Sequence, residues 1–157
     1  MSEIIPLTAS GYQKLENELN DLKSNVRPQV IAAIAAARAH GDLKENAEYH
    51  AAKEKQAFVE GRISLLEDQL ARSKVINLDG EKIDRVKFGT FVTLEEGESG
   101  TTKTYQLVGD LEADINANKI SINSPIGKAV LGKSVDDEVD VVVPKGRVLY
   151  TIAAITA

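Results

Sequence analysis

The chain has 157 residues, enough for one domain or two small ones; 43% are hydrophobic, 27% charged and 4% aromatic, a soluble balance with a thin core. It holds no cysteine and two histidines, which excludes a disulfide framework, a thiolate zinc centre and a cysteine nucleophile. The formal charge of −5 is shared between the halves, with 10 basic and 11 acidic side chains through Lys74 and 9 and 13 beyond it, so no strong binding of free nucleic acid is expected.

Met1-Ser2-Glu3-Ile4-Ile5-Pro6 lacks the basic start and apolar centre of a signal, and no run approaches the roughly 20 apolar residues that cross a bilayer. A cytoplasmic location with no membrane partner is expected. From Thr8 to about Lys74 the pattern predicts helix, with Leu15, Leu19, Leu22 and Val26 spaced four, three and four apart as in a coiled-coil seam. Thr8 or Ser10 can supply the N-cap oxygen. Pro28 predicts a kink rather than a stop, because the helical stretch Val30 to His40 follows it. A second seam runs through Ala52, Val59, Ile63, Leu66 and Leu70. Gly41 can end the first helix in a left-handed turn and Asp42 can cap the second, and so short a connection makes the helices antiparallel. At 1.5 Å per residue the hairpin would be roughly 50 Å long, with its tip far from any globular body.

Beyond Leu78-Asp79-Gly80 the period changes to that of strands, at Thr90–Leu94, Thr104–Val108 and Ile120–Ile122. Ser124-Pro125 predicts the cap and first position of a short helix reaching Leu131 and stopping at Gly132. Val139–Val143 and Arg147–Ile152 flank Pro144-Lys145-Gly146, a hairpin connection. The fold class is therefore α+β: residues 1–77 form a long antiparallel helical hairpin, and residues 78–157 an antiparallel sheet with one short helix.

The segment Gly41-Asp42-Leu43-Lys44-Glu45-Asn46-Ala47-Glu48-Tyr49 carries the chemistry, because it sets carboxylates at the end of a lever. Asp42 and Glu45 lie three apart, close enough in a turn to share a hard cation such as Mg²⁺. The same spacing matches a capping box, and spacing alone does not choose between them. Two oxygens make a weak Mg²⁺ site in water, so the tip needs a partner that supplies further ligands. Beside a metal already held by another protein, the pair could recruit a second ion for two-metal phosphodiester hydrolysis. His40 fits a dipole-compensating role at a helix C-terminus, Tyr49 suits packing or base stacking, and Asn46 can order the tip through its backbone.

The run Gly41 to Glu54 resembles the signature of the GreA/GreB transcript cleavage factors, and Ile120-Ser121-Ile122-Asn123-Ser124-Pro125-Ile126-Gly127-Lys128-Ala129 resembles the C-terminal domain of the same family. The modest basic count on the arms places the chain nearer the GreA branch. The resemblance implies a coiled coil that enters the secondary channel of bacterial RNA polymerase and an FKBP-like C-terminal domain that docks near its mouth. It implies that Asp42 and Glu45 help bind the second catalytic Mg²⁺, shared with the polymerase and not held tightly by the free protein. The polymerase, not this chain, is then the enzyme, and it cuts backtracked RNA near its 3′ end. Arg38 and Lys53, on opposite arms, resemble the family's basic spot for that RNA end; lysine at position 53 offers a point charge where arginine is also common. Outside the resemblance, both read as solvated helix charges.

Asp110, Glu112 and Asp114 form an acidic cluster near a turn, suited to docking on a basic patch of polymerase or simply to solvation. Two other functions are weighed: a factor of the same fold that blocks the channel, and a prolyl isomerase or chaperone. Extra tip acids would favour the first. The second has only Phe88, Phe91, Tyr105 and Tyr150 from which to build an aromatic pocket.

Overall fold

A computed structural model describes residues 3–41, 45–144 and 146–157. They group into two compact units, one built chiefly of Tyr12–Ser73 and the other of Ile4–Gly11 with Lys74–Ala157. No helix among them is long and apolar enough to cross a membrane.

The first unit is a helical hairpin. Helix α1 (Ala9–Asp21) passes through a π-helical turn, Leu22–Val26, into α2 (Arg27–Arg38); α3 (Ala47–Ala71) forms the other arm. The π turn is how the chain takes in Pro28. A proline within a regular helix clashes with the carbonyl four residues back, and here the wider turn, with Arg27 N–H bonded to the Leu22 carbonyl, precedes it directly. The helix continues through the proline, as expected.

Val30, Ile34, Val59 and Ile63 are buried together, with Leu19, Leu22, Val26, Tyr49 and Ala52 packed against them, so both predicted seams meet. Lys23 pairs with Glu67 and Arg27 with Glu60, while Arg38 lies over Tyr49. As the first number rises the second falls, which makes the arms antiparallel.

The second unit contains a five-stranded sheet in the order β5-β4-β3-β7-β6, made of β3 (Phe91–Glu96), β4 (Thr102–Val108), β5 (Lys119–Ser121), β6 (Glu138–Val143) and β7 (Gly146–Thr156). All of the predicted strands form. One detail differs: β5 runs parallel to β4, because the intervening segment crosses back through a 3₁₀ turn, Ile115–Ala117, instead of closing a hairpin. Helix α4 (Pro125–Val130) is capped as predicted, with Gly127 N–H donating to Ser124 Oγ at 3.0 Å. Its Val130 joins Val92, Leu94, Leu107, Val141 and Ile152 in the core.

Two short strands, β1 (Ile5–Thr8) and β2 (Ser73–Ile76), pair with each other where helix was expected to start and finish. Helix α1 therefore begins at Ala9, with Thr8 Oγ1 accepting from Gly11 N–H at 3.0 Å as its N-cap. Thr8 is itself held: its N–H donates to Glu112 Oε2 at 3.3 Å and its hydroxyl to Glu112 Oε1. A Cβ on Gly11 would overlap that carboxylate, which accounts for glycine in the first turn of a helix.

Candidate functional site

The end of the hairpin is built by the chain turning out of α2 and into α3. Gly41 has φ +103°, a value that favours glycine, and so carries the chain out of α2 as its sequence predicts. Asp42 lies outside the described residues. Glu45 is exposed and precedes α3.

The capping reading of Asp42 and Glu45 is corrected here. Helix α3 starts at Ala47 and its N-cap is Asn46, whose Oδ1 accepts from Tyr49 N–H at 3.0 Å. The Asn46 amide also reaches the other arm, donating from Nδ2 to the Ala37 carbonyl at 2.6 Å. One side chain thus satisfies an orphan donor of α3 and a terminal carbonyl of α2. Glu45 stands outside the helix and is not its N3 residue, so its carboxylate is not engaged in capping α3. Glu48 instead occupies the first turn of α3, where negative charge suits the helix dipole. A shallow depression is lined by His40, Glu45, Asn46, Ala47 and Glu48. His40 Nε2 lies 3.8 Å from Glu48 Oε2, an ion pair when the imidazole is protonated.

Arg38 and Lys53 are both exposed, and Arg38 lies over the Tyr49 ring. The Arg38 guanidinium lies 5.9 Å from the Tyr49 ring centroid, a cation–π distance, and Lys53 follows Tyr49 by four residues on the same flank of α3. Lys53 Nζ donates to Gln56 Oε1 at 3.2 Å. Tyr49 also packs on the hairpin core and meets His50 edge-on. Sequence reasoning treats Tyr49 as an isolated aromatic; the 38/49 pairing emerges only once the seam register places the two opposite each other.

The acidic cluster is engaged within its own unit. Asp110 accepts from Ser121 Oγ and from Asn123 Nδ2 at 3.3 Å, Glu112 holds Thr8 and accepts from Gly109 N–H at 3.4 Å, and Asp114 Oδ1 accepts from Asn116 N–H at 3.1 Å. Each therefore has a local structural role.

Among the described residues no group of three or more His, Cys, Asp or Glu side chains could hold a metal ion. The donor present at the tip, the exposed carboxylate of Glu45, is a hard oxygen ligand. It fits Mg²⁺ only as one member of a set completed by other molecules.

Two family models match the chain in series: transcription elongation factor, N-terminal, over residues 5–75, and transcription elongation factor GreA/GreB, C-term, over residues 81–157. A transcription elongation factor GreA from Nitrosococcus oceani is 57% identical over 152 residues, covering 96% of each chain. One from Rhizobium leguminosarum bv. trifolii is 51% identical over 156 residues, covering 99% of each. The solved structure of GreA factor homolog 1 from Thermus thermophilus is 30% identical, covers 99% of this chain and 100% of its own, and superposes with a TM-score of 0.46. With both halves matched in order and identity above one half across nearly the whole length, the chain belongs to the GreA/GreB family of transcription elongation factors.

Proposed function

We propose that this chain binds RNA polymerase, inserts the hairpin end into the secondary channel, and stimulates the polymerase's own cleavage of backtracked RNA near the 3′ end, so that arrested complexes resume. The observation that carries this reading is the Asn46 cap. By closing α3 on its own, it leaves the Glu45 carboxylate outside the helix and exposed.

In this account Asp42 and Glu45 are the protein ligands for a Mg²⁺ ion whose other ligands belong to the polymerase and the RNA. When bound there, the ion supplies positive charge for phosphodiester hydrolysis. Asn46 fixes the backbone next to Glu45. Arg38 and Lys53 hold the phosphates of the extruded RNA end, with Tyr49 supporting the Arg38 guanidinium from beneath. The acidic loop serves as the docking rim on the polymerase, through Asp110 and Asp114 more than Glu112, which is committed to Thr8.

The test adds the purified protein to stalled polymerase complexes whose RNA is labelled at its 3′ end. Short labelled fragments should be released faster than from complexes alone. Asp42→Asn and Glu45→Gln should each slow that release roughly 100-fold, the effect of losing about 3 kcal/mol of charge stabilisation, while polymerase binding persists. Release at the same rate with and without the protein would refute the reading. Occupancy of the channel without faster release would instead identify a blocking factor.

A further inference from the structure

After β2 the chain makes a tight turn, Leu78-Asp79-Gly80-Glu81, closed by Glu81 N–H donating to the Leu78 carbonyl at 3.1 Å. Gly80 has φ +76° and Asp79 does not share the positive sign, which is the pattern of a type II turn with glycine at its third position. Leu78, half-buried, rests the turn on its own unit: a Cβ on Gly89 would lie 3.4 Å from Leu78 Cδ1. Asn77 Oδ1 accepts from Asp79 N–H at 2.9 Å and holds the residue from its N-terminal side.

The groups this turn leaves free are a carboxylate and the amide that follows it. Asp79 and Gly80 are both exposed, and among the described residues neither the Asp79 carboxylate nor the Gly80 N–H has a hydrogen-bond or ion-pair partner. Nothing stands within 4 Å of where a side chain on Gly80 would begin, so the nitrogen is open to attack on Asp79 and the site is open to water. Of the 11 glycines, Gly80 alone follows an Asp or Asn. The comparable pair Asn123-Ser124 is tied down on both sides: Asn123 Nδ2 donates to Asp110 at 3.3 Å and Ser124 N–H to the Ser121 carbonyl at 3.0 Å.

We propose that Asp79 is a site of spontaneous isomerisation, at which the chain becomes a substrate for carboxyl methyltransferases of the isoaspartyl class. The Gly80 nitrogen attacks Cγ of Asp79 in its acid form. The new C–N bond closes a succinimide ring, and the carboxyl hydroxyl leaves as water with the amide hydrogen. Water then opens the ring. Addition at the former main-chain carbonyl of Asp79 breaks the bond from that carbonyl to the Gly80 nitrogen, so the chain continues through Cβ and Cγ and the α-carboxylate is set free; addition at Cγ restores aspartate. The water lost in closing the ring is regained in opening it, and no oxidant or cofactor is needed. The isomerised main chain carries an extra carbon between Leu78 and Gly80, which the Glu81–Leu78 hydrogen bond cannot span unchanged. The freed α-carboxylate oxygen is the group that accepts a methyl from the sulfonium of S-adenosylmethionine.

The experiment incubates the full-length protein, folded, at neutral pH and physiological temperature, beside the free peptide Val75–Lys82, which is also the tryptic fragment that carries the site. An exposed turn opens at little cost, so isoaspartate should accumulate in the folded protein at a rate within about tenfold of that in the peptide. It is read by transfer of labelled methyl from S-adenosylmethionine with an isoaspartyl methyltransferase, and located by tryptic mapping with electron-transfer fragmentation, which separates the two isomers despite their equal mass. Asp79→Glu would have to close a larger ring and should remove the label from this fragment. Asp79→Asn should speed the reaction, with ammonia as the leaving group in place of water. Circular dichroism after incubation confirms that the chain is still folded. The proposal is overturned if the peptide isomerises and the folded protein does not, if the label enters other fragments and not this one, if Asp79→Glu keeps the label, or if Asp79→Asn reacts no faster.

Discussion

Asn46 joins the two arms of the hairpin with one amide, accepting from Tyr49 N–H in the first turn of α3 and donating to the Ala37 carbonyl of α2. Its replacement by alanine removes both bonds, and the expected cost is about 1–2 kcal/mol of unfolding free energy, read by urea titration with circular dichroism. The same variant should stimulate cleavage poorly although Asp42 and Glu45 remain, because the backbone next to Glu45 is no longer fixed. Gly127 makes a different kind of local demand. A Cβ there would strike the Ser121 carbonyl, which is backbone and cannot swing aside, so Gly127→Ala should destabilise the second unit by about 1–3 kcal/mol in the same titration. At this scale the sequence is legible in part. Asp42-x-x-Glu45 and Asn46-x-x-Tyr49 both offer a polar side chain ahead of the same helical run, and only the path of the turn decides which one caps. Ser124-Pro125, with no rival nearby, is readable directly.

Among the elements, the hairpin is tied by side-chain ion pairs as well as its seam. Arg62 donates from Nε and Nη2 to Glu18 at 2.6 and 2.9 Å, a two-point contact that lowers the Glu18 pKa below the usual carboxylate value. A carboxyl depressed in the folded state stabilises above its unfolded pKa, and that stabilisation fades as pH falls through the folded value. Glu18→Gln should therefore lower stability modestly at neutral pH, where the pair is partly exposed and screened, and the difference from the unmodified chain should vanish in acid. Chemical denaturation of both proteins across that pH range checks the sign. Ile63→Ala, in the centre of the seam, should cost far more, about 2–5 kcal/mol. The seam is legible because steps of three and four repeat along both arms. Strands β1 and β2 are not, since each has four residues, Pro6 interrupts the first, and their pairing joins segments more than sixty residues apart. Nor does periodicity reveal the π turn, which inserts within a run that still reads as helix.

The whole molecule divides its labour between the units. The N-terminal segment Ile4–Gly11 belongs with the C-terminal unit, anchored by the Glu112 carboxylate on Thr8. Linear sequence gives no sign of this, because Glu112 reads as one of three acids in a solvated loop. Glu112→Gln should lower the melting temperature of the second unit, whereas Asp114→Asn should leave it nearly unchanged. Chemistry is proposed for the hairpin end, and partner recognition for the acidic loop. The central claim is that the tip carboxylates and the polymerase hold one Mg²⁺ together. It is tested most directly by titrating Mg²⁺ into stalled complexes and following release of the 3′ fragment with the unmodified protein and with Glu45→Gln. The account predicts that the unmodified protein reduces the Mg²⁺ concentration giving half-maximal cleavage, and that Glu45→Gln restores the higher value found without any factor. An identical Mg²⁺ dependence in all three cases would contradict it.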